Sequence, residues 1–98
     1  MGRITGIDQA TRHGEDGFIV EYELNALSKQ GARGRAVGRL AASFPVKAMD
    51  MEVVEIGTTV GDPDRGTETW VAEVFMPETS RLEEMTTERF MGIVERLS

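Results

Sequence analysis

The sequence predicts an α+β fold: an antiparallel sheet of four to five strands, built from two hairpins plus a central strand, with one amphipathic C-terminal helix packed on a face. Three observations carry this. The run 18–27, FIVEYELNAL, alternates apolar and polar residues. The run 67–76, TETWVAEVFM, does so again after a dense turn signal. The run 81–97 places apolar residues at helical spacing. A period of two marks a half-buried strand, and a period of 3.6 marks a helix with one buried face.

In chain order, residues 2–10 hold Ile4 and Ile7 at a spacing that is odd for a strand, which predicts a short or bulged one. His13, Gly14, Glu15, Asp16 and Gly17 supply turn chemistry, with glycines free to take positive φ. In the next run Phe18, Val20, Tyr22 and Leu24 share one side, and Glu21, Glu23 and Asn25 share the other. A hairpin between these two segments is the expected pairing.

The central stretch, SKQGARGRAVGRLAASFPVK (28–47), supports two readings. As a helix it puts Val37, Leu40, Ala41 and Phe44 at i, i+3, i+4 and i+7. As a strand it puts Ala36, Leu40, Ala42 and Phe44 on one face, with Arg35, Val37 and Arg39 opposite. Gly34 and Gly38 would each cost a helix roughly 1 kcal/mol against Ala. A hairpin would also set Arg35 and Arg39 beside Glu21 and Glu23, at roughly 0.2–1 kcal/mol per cross-strand pair. Both considerations favour the strand. The alternative order is ββαββα, which would suggest an internal duplication.

Pro45 pushes Phe44 towards an extended backbone. Residues 51–60 resume β character through Val53, Val54, Ile56, Thr58, Thr59 and Val60. Gly61-Asp62-Pro63-Asp64-Arg65-Gly66 signals a turn into the run 67–76, where Trp70, Ala72, Val74 and Met76 share a face. Thr69, Val71, Glu73 and Phe75 share the other, only half of it polar. Pro77 closes that strand, and Ser80 with Glu83 forms a capping box for the last helix. Its stripe is Leu82, Met85, Phe90, Ile93, Val94 and Leu97.

A chain of 98 residues predicts a single domain over 1–98 with a modest core. There is no Cys, so neither a disulfide framework nor a thiolate metal site is available. No apolar run is long enough for a signal peptide or a membrane span, and the expected location is cytoplasmic.

Charge is the least random feature. The chain has 17 acids and 11 bases, for a net −6. The stretch 28–47 is nevertheless +5 and contains no Asp or Glu. An acidic balance disfavours a general nucleic-acid binder and can steer a protein towards basic partners.

No catalytic constellation emerges. His13 is the single histidine, with Glu15 and Asp16 beside it, and a solvated turn accounts for all three. Asp62 and Asp64 begin like a calcium loop, but Arg65 occupies the position of the third acid. Gly31, Gly34 and Gly38 match neither phosphate-loop spacing. No cofactor or metal is expected.

The sequence therefore predicts a small non-enzymatic interaction protein, of the inhibitor or immunity type or an assembly subunit. It would dock on another protein or on copies of itself through a sheet face or strand edge. The candidate partner-binding residues are Glu21, Glu23, Arg33, Arg35 and Arg39, with Glu55 and Glu73 extending the acidic face. The alternative is nucleic-acid binding through the basic 29–47 segment.

Overall fold

The computed structural model describes residues 2–62, 67–77 and 87–97. Strand β1 (Arg3–Arg12) and β2 (Glu15–Ala26) precede helix α1 (Lys29–Ser43) and a short 3-10 turn (Ala48–Asp50). Strand β3 (Glu52–Asp62), β4 (Thr67–Pro77) and helix α2 (Thr87–Leu97) follow. The architecture is α+β, and the described residues form four antiparallel strands in one sheet ordered β1-β2-β4-β3. Among the described residues a ββα unit thus occurs twice, and the sheet order is symmetric about the β2–β4 seam. The 62–66 turn lies largely outside the described residues. The Ser80–Glu83 capping box and the first part of the predicted last helix lie outside them entirely.

The central stretch is helix α1 rather than a fifth strand, and the order among the described residues is ββαββα. Three local devices define the helix. The Ser28 side chain caps its start, Oγ accepting from the Gly31 N–H at 3.1 Å. Ala32, Ala36 and Leu40, spaced at i, i+4 and i+8, are all fully buried. At the far end Phe44, held extended before Pro45, returns its N–H to the Leu40 carbonyl at 2.9 Å. The buried stripe is therefore shifted from the expected Val37–Leu40–Ala41–Phe44 set towards small residues. Gly31, Gly34 and Gly38 all lie on the exposed side. Burial of the Ala–Ala–Leu stripe outweighs a propensity penalty of about 1 kcal/mol per glycine.

The hairpin register fixes the two sheet faces. Phe18 pairs with Met76, Val20 with Val74, Tyr22 with Ala72 and Leu24 with Trp70, so the two alternating apolar sets form one surface. A bulge between Ile4 and Gly6 brings both Ile4 and Ile7 onto that surface, opposite Tyr22 and Val20. Val53 and Ile56 extend it on β3. Ala32, Ala36 and Leu40 of α1 and Ile93 and Leu97 of α2 complete a single buried cluster with this face. Among the described residues, none on the opposite face belongs to that cluster. Among the described residues, no helix is long and apolar enough to cross a membrane.

The first hairpin turns through His13 (φ 54°) and Gly14 (φ 77°), two left-handed residues between Arg12 and Glu15. That is the geometry whose twist matches paired strands.

Candidate functional site

The sheet face turned away from α1 and α2, helix-free among the described residues, gathers the acidic residues singled out above. Glu21 on β2 stands directly opposite Glu73 on β4, and Glu73 stands directly opposite Glu55 on β3. The three carboxylates form one row across three strands. In the neighbouring row Arg3, Glu23, Val71 and Gly57 lie side by side. Directly opposed residues have Cβ atoms about 4.5–5.5 Å apart, so the row concentrates like charge at a separation that destabilises the sheet.

Part of this charge is compensated at the β1 edge. Thr5 Oγ1 donates to Glu21 Oε1 at 2.7 Å, and Arg3 Nη2 lies 3.4 Å from Glu23 Oε1. Among the described residues, Glu73 and Glu55 have neither a hydrogen bond nor an ion pair. They flank a depression of about 190 Å³ floored by Val71 and Gly57.

One end of this face is closed by the tip of the β1–β2 hairpin. Phe75 belongs to the helix-free face, opposite Ile19 and Glu52, yet it is only 3% exposed. Gly17 makes room for its ring: a Cβ there would lie 2.9 Å from Phe75 Cζ and collide with the Met76 carbonyl. Glu52 ties the hairpin tip down. Its two oxygens accept from Arg12 Nε at 3.2 Å and Arg12 Nη2 at 3.3 Å, and His13 Nε2 lies 3.1 Å from Oε2. The Arg12 guanidinium first, and His13 second, hold the Glu52 carboxyl below its ordinary value. His13 thus faces Glu52 rather than its sequence neighbours, while Asp16 accepts from Thr11 Oγ1 at 2.7 Å. Among the described residues, no cluster of three His, Cys, Asp or Glu side chains could hold a metal ion.

The basic residues are placed otherwise than the strand reading expected. Arg35 and Arg39 do not pair with Glu21 and Glu23, because α1 and those glutamates lie on opposite sides of the sheet. Arg33 lines a cleft of about 560 Å³ towards Met51 and Val53 on one flank of α1. On the other flank, Arg35 and Arg39 line a cleft of about 410 Å³ with Tyr22, Leu24 and Asn25. Arg35 Nη1 donates to the Asn25 carbonyl at 3.4 Å. Among the described residues, no carboxylate pairs with Arg33, Arg35 or Arg39. The three glycines of this stretch sit inside α1 and form no phosphate-cradling loop.

No family model, curated protein or solved structure matches the chain.

The Arg12–Glu52–His13 group has no signature in the sequence. Glu52 is 40 residues from Arg12 and 39 from His13, and no local pattern links them. The odd Ile4/Ile7 spacing was a usable signal for the bulge that turns Thr5 towards Glu21.

Proposed function

We propose that the protein is a non-enzymatic interaction module that docks its helix-free acidic sheet face onto a basic surface of another protein. The observation that supports this most is the in-register row Glu21–Glu73–Glu55. Like charges directly opposite one another disfavour folding, so a row of three is explained by a role outside the fold. A basic partner would turn the same repulsion into complementarity and faster encounter.

The face suits a different protein better than a second copy. A two-fold dimer through this surface would set acidic row against acidic row. The strand edges are also poor templates for pairing. β1 is bulged between Ile4 and Gly6, and β3 is bulged twice, between Val53 and Glu55 and between Thr58 and Val60.

The test is affinity capture from native lysate with nuclease present, comparing wild type with Glu21→Lys/Glu73→Lys. The double variant is expected to remain folded and to lose the protein captured by wild type. Equal capture by a folded double variant would overturn the proposal.

A second reading, nucleic-acid binding through Lys29, Arg33, Arg35 and Arg39, draws on the exposure of these residues and on the absence of carboxylate partners for the arginines among the described residues. It is the weaker reading because α1 splits the arginines between two flanks. A steep salt dependence of oligonucleotide affinity would support it, and a flat one would end it.

A further inference from the structure

We propose that the cleft between β2 and the Arg35/Arg39 flank of α1 is a binding site for a small phosphate monoester. This site lies on the helical side of the sheet and does not depend on the acidic face.

Its walls come from three segments: Gly2, then Tyr22, Leu24 and Asn25 of β2, then Arg35 and Arg39 of α1. The volume of about 410 Å³ falls within the range of small-molecule sites. Arg35 and Arg39 are one helical turn apart, so their side chains leave the same flank as neighbours. The bond from Arg35 Nη1 to the Asn25 carbonyl fixes one guanidinium at the wall and leaves its other N–H groups available.

Tyr22 supplies an independent indication. Tyr22 as a residue is only 2% exposed. Its hydroxyl has no hydrogen-bond partner among the described residues, yet no side-chain oxygen there is both sealed from solvent and unsatisfied. The ring is therefore enclosed while the hydroxyl opens to the cleft. Gly2 is set so close that any Cβ on it would collide with that hydroxyl. A buried aromatic body with an unpartnered donor at a cleft containing two guanidiniums is a built polar end, distinct from arginines spread over a surface.

Charge and geometry select the ligand. A phosphate monoester carries about −1.5 to −2 charges at pH 7 and three acceptor oxygens. That matches two guanidinium forks and one hydroxyl, whereas a carboxylate offers one charge and two oxygens. A backbone diester has a single charge per phosphate and no free end to bring to Tyr22. Tyr22 and Leu24 line the cleft but are almost wholly buried, so recognition falls on the phosphate group rather than on the ester's organic part.

The test is calorimetric titration of the full chain with phenyl phosphate, with benzoate and a 5′-hydroxyl oligonucleotide as comparisons. Saturable one-to-one binding of phenyl phosphate is expected. It should weaken at least about tenfold in Arg39→Gln, with a smaller loss in Tyr22→Phe. Glu21→Lys/Glu73→Lys should leave it unchanged, which separates this site from the acidic face. Absence of saturable binding, or unaltered affinity in folded Arg39→Gln, would overturn the proposal. So would benzoate binding as tightly as phenyl phosphate, or tighter binding of the oligonucleotide.

Discussion

Replacing Glu73 by Gln removes the middle member of the three-carboxylate row and should stabilise the fold. Glu73 is directly opposite Glu21 on one side and Glu55 on the other, so the substitution relieves two like-charge pairs. At roughly 0.2–1 kcal/mol for each direct cross-strand pair, the gain is about 0.4–2 kcal/mol. For a chain of this length, 1 kcal/mol corresponds to a rise in Tm of about 4 °C. Glu73 makes no described hydrogen bond or ion pair, so nothing stabilising is lost to offset the gain. The assay is urea denaturation of wild type and Glu73→Gln at low salt and again at about 1 M salt, where the Debye length falls to about 3 Å. The difference should be largest at low salt and nearly vanish at high salt. A variant that is less stable than wild type, or equally stable at both salts, would refute the view that the acidic face is in tension with the fold.

Three further outcomes follow from the local geometry. Gly17→Ala should destabilise by about 1–3 kcal/mol in urea denaturation, because the new Cβ meets the Met76 carbonyl, the Pro77 Cα and the Phe75 ring. Ser28→Ala removes the acceptor for the Gly31 N–H and should lower stability by about 1 kcal/mol, with a loss of helical circular dichroism signal on heating. The folded-state pKa of Glu52 lies below its unfolded value, so the stability from its pairing is present above the ordinary carboxylate range. That contribution is lost as pH falls through the folded pKa. Acid titration of Tm should show a shallower decline in Glu52→Gln than in wild type.

The fold was legible where a single period decided it. The alternation of Phe18–Leu24 and of Trp70–Met76 gives two strand faces, and the register shows them to be one surface. The Ile4/Ile7 spacing anticipated a bulge, and β1 has one. For the central stretch, the terms that can be estimated from sequence, glycine propensity and hypothetical Arg–Glu pairs, favour a strand, and the structure has a helix. The decisive term was tertiary. Ala32 and Ala36 look neutral in sequence, yet their small side chains let α1 approach the sheet until both are fully buried. The same holds for the site. Alternation alone places Glu21 with Glu23 on one face, but only the register of three strands aligns Glu21, Glu73 and Glu55 in a row. Closure of the face by Arg12, His13 and Glu52 depends on β1 and β3 meeting across the sheet, which no short-range pattern encodes.

The most direct test of the docking face is carboxyl footprinting of the nuclease-resistant complex recovered on wild-type bait, read by mass spectrometry. The exposed Glu88 and Glu95 of α2 serve as internal references. Docking through the sheet predicts strong protection of Glu21, Glu55 and Glu73, with Glu88 and Glu95 labelled as in the free protein. Labelling of the row at the free-protein rate would show that the partner binds elsewhere and contradict the account.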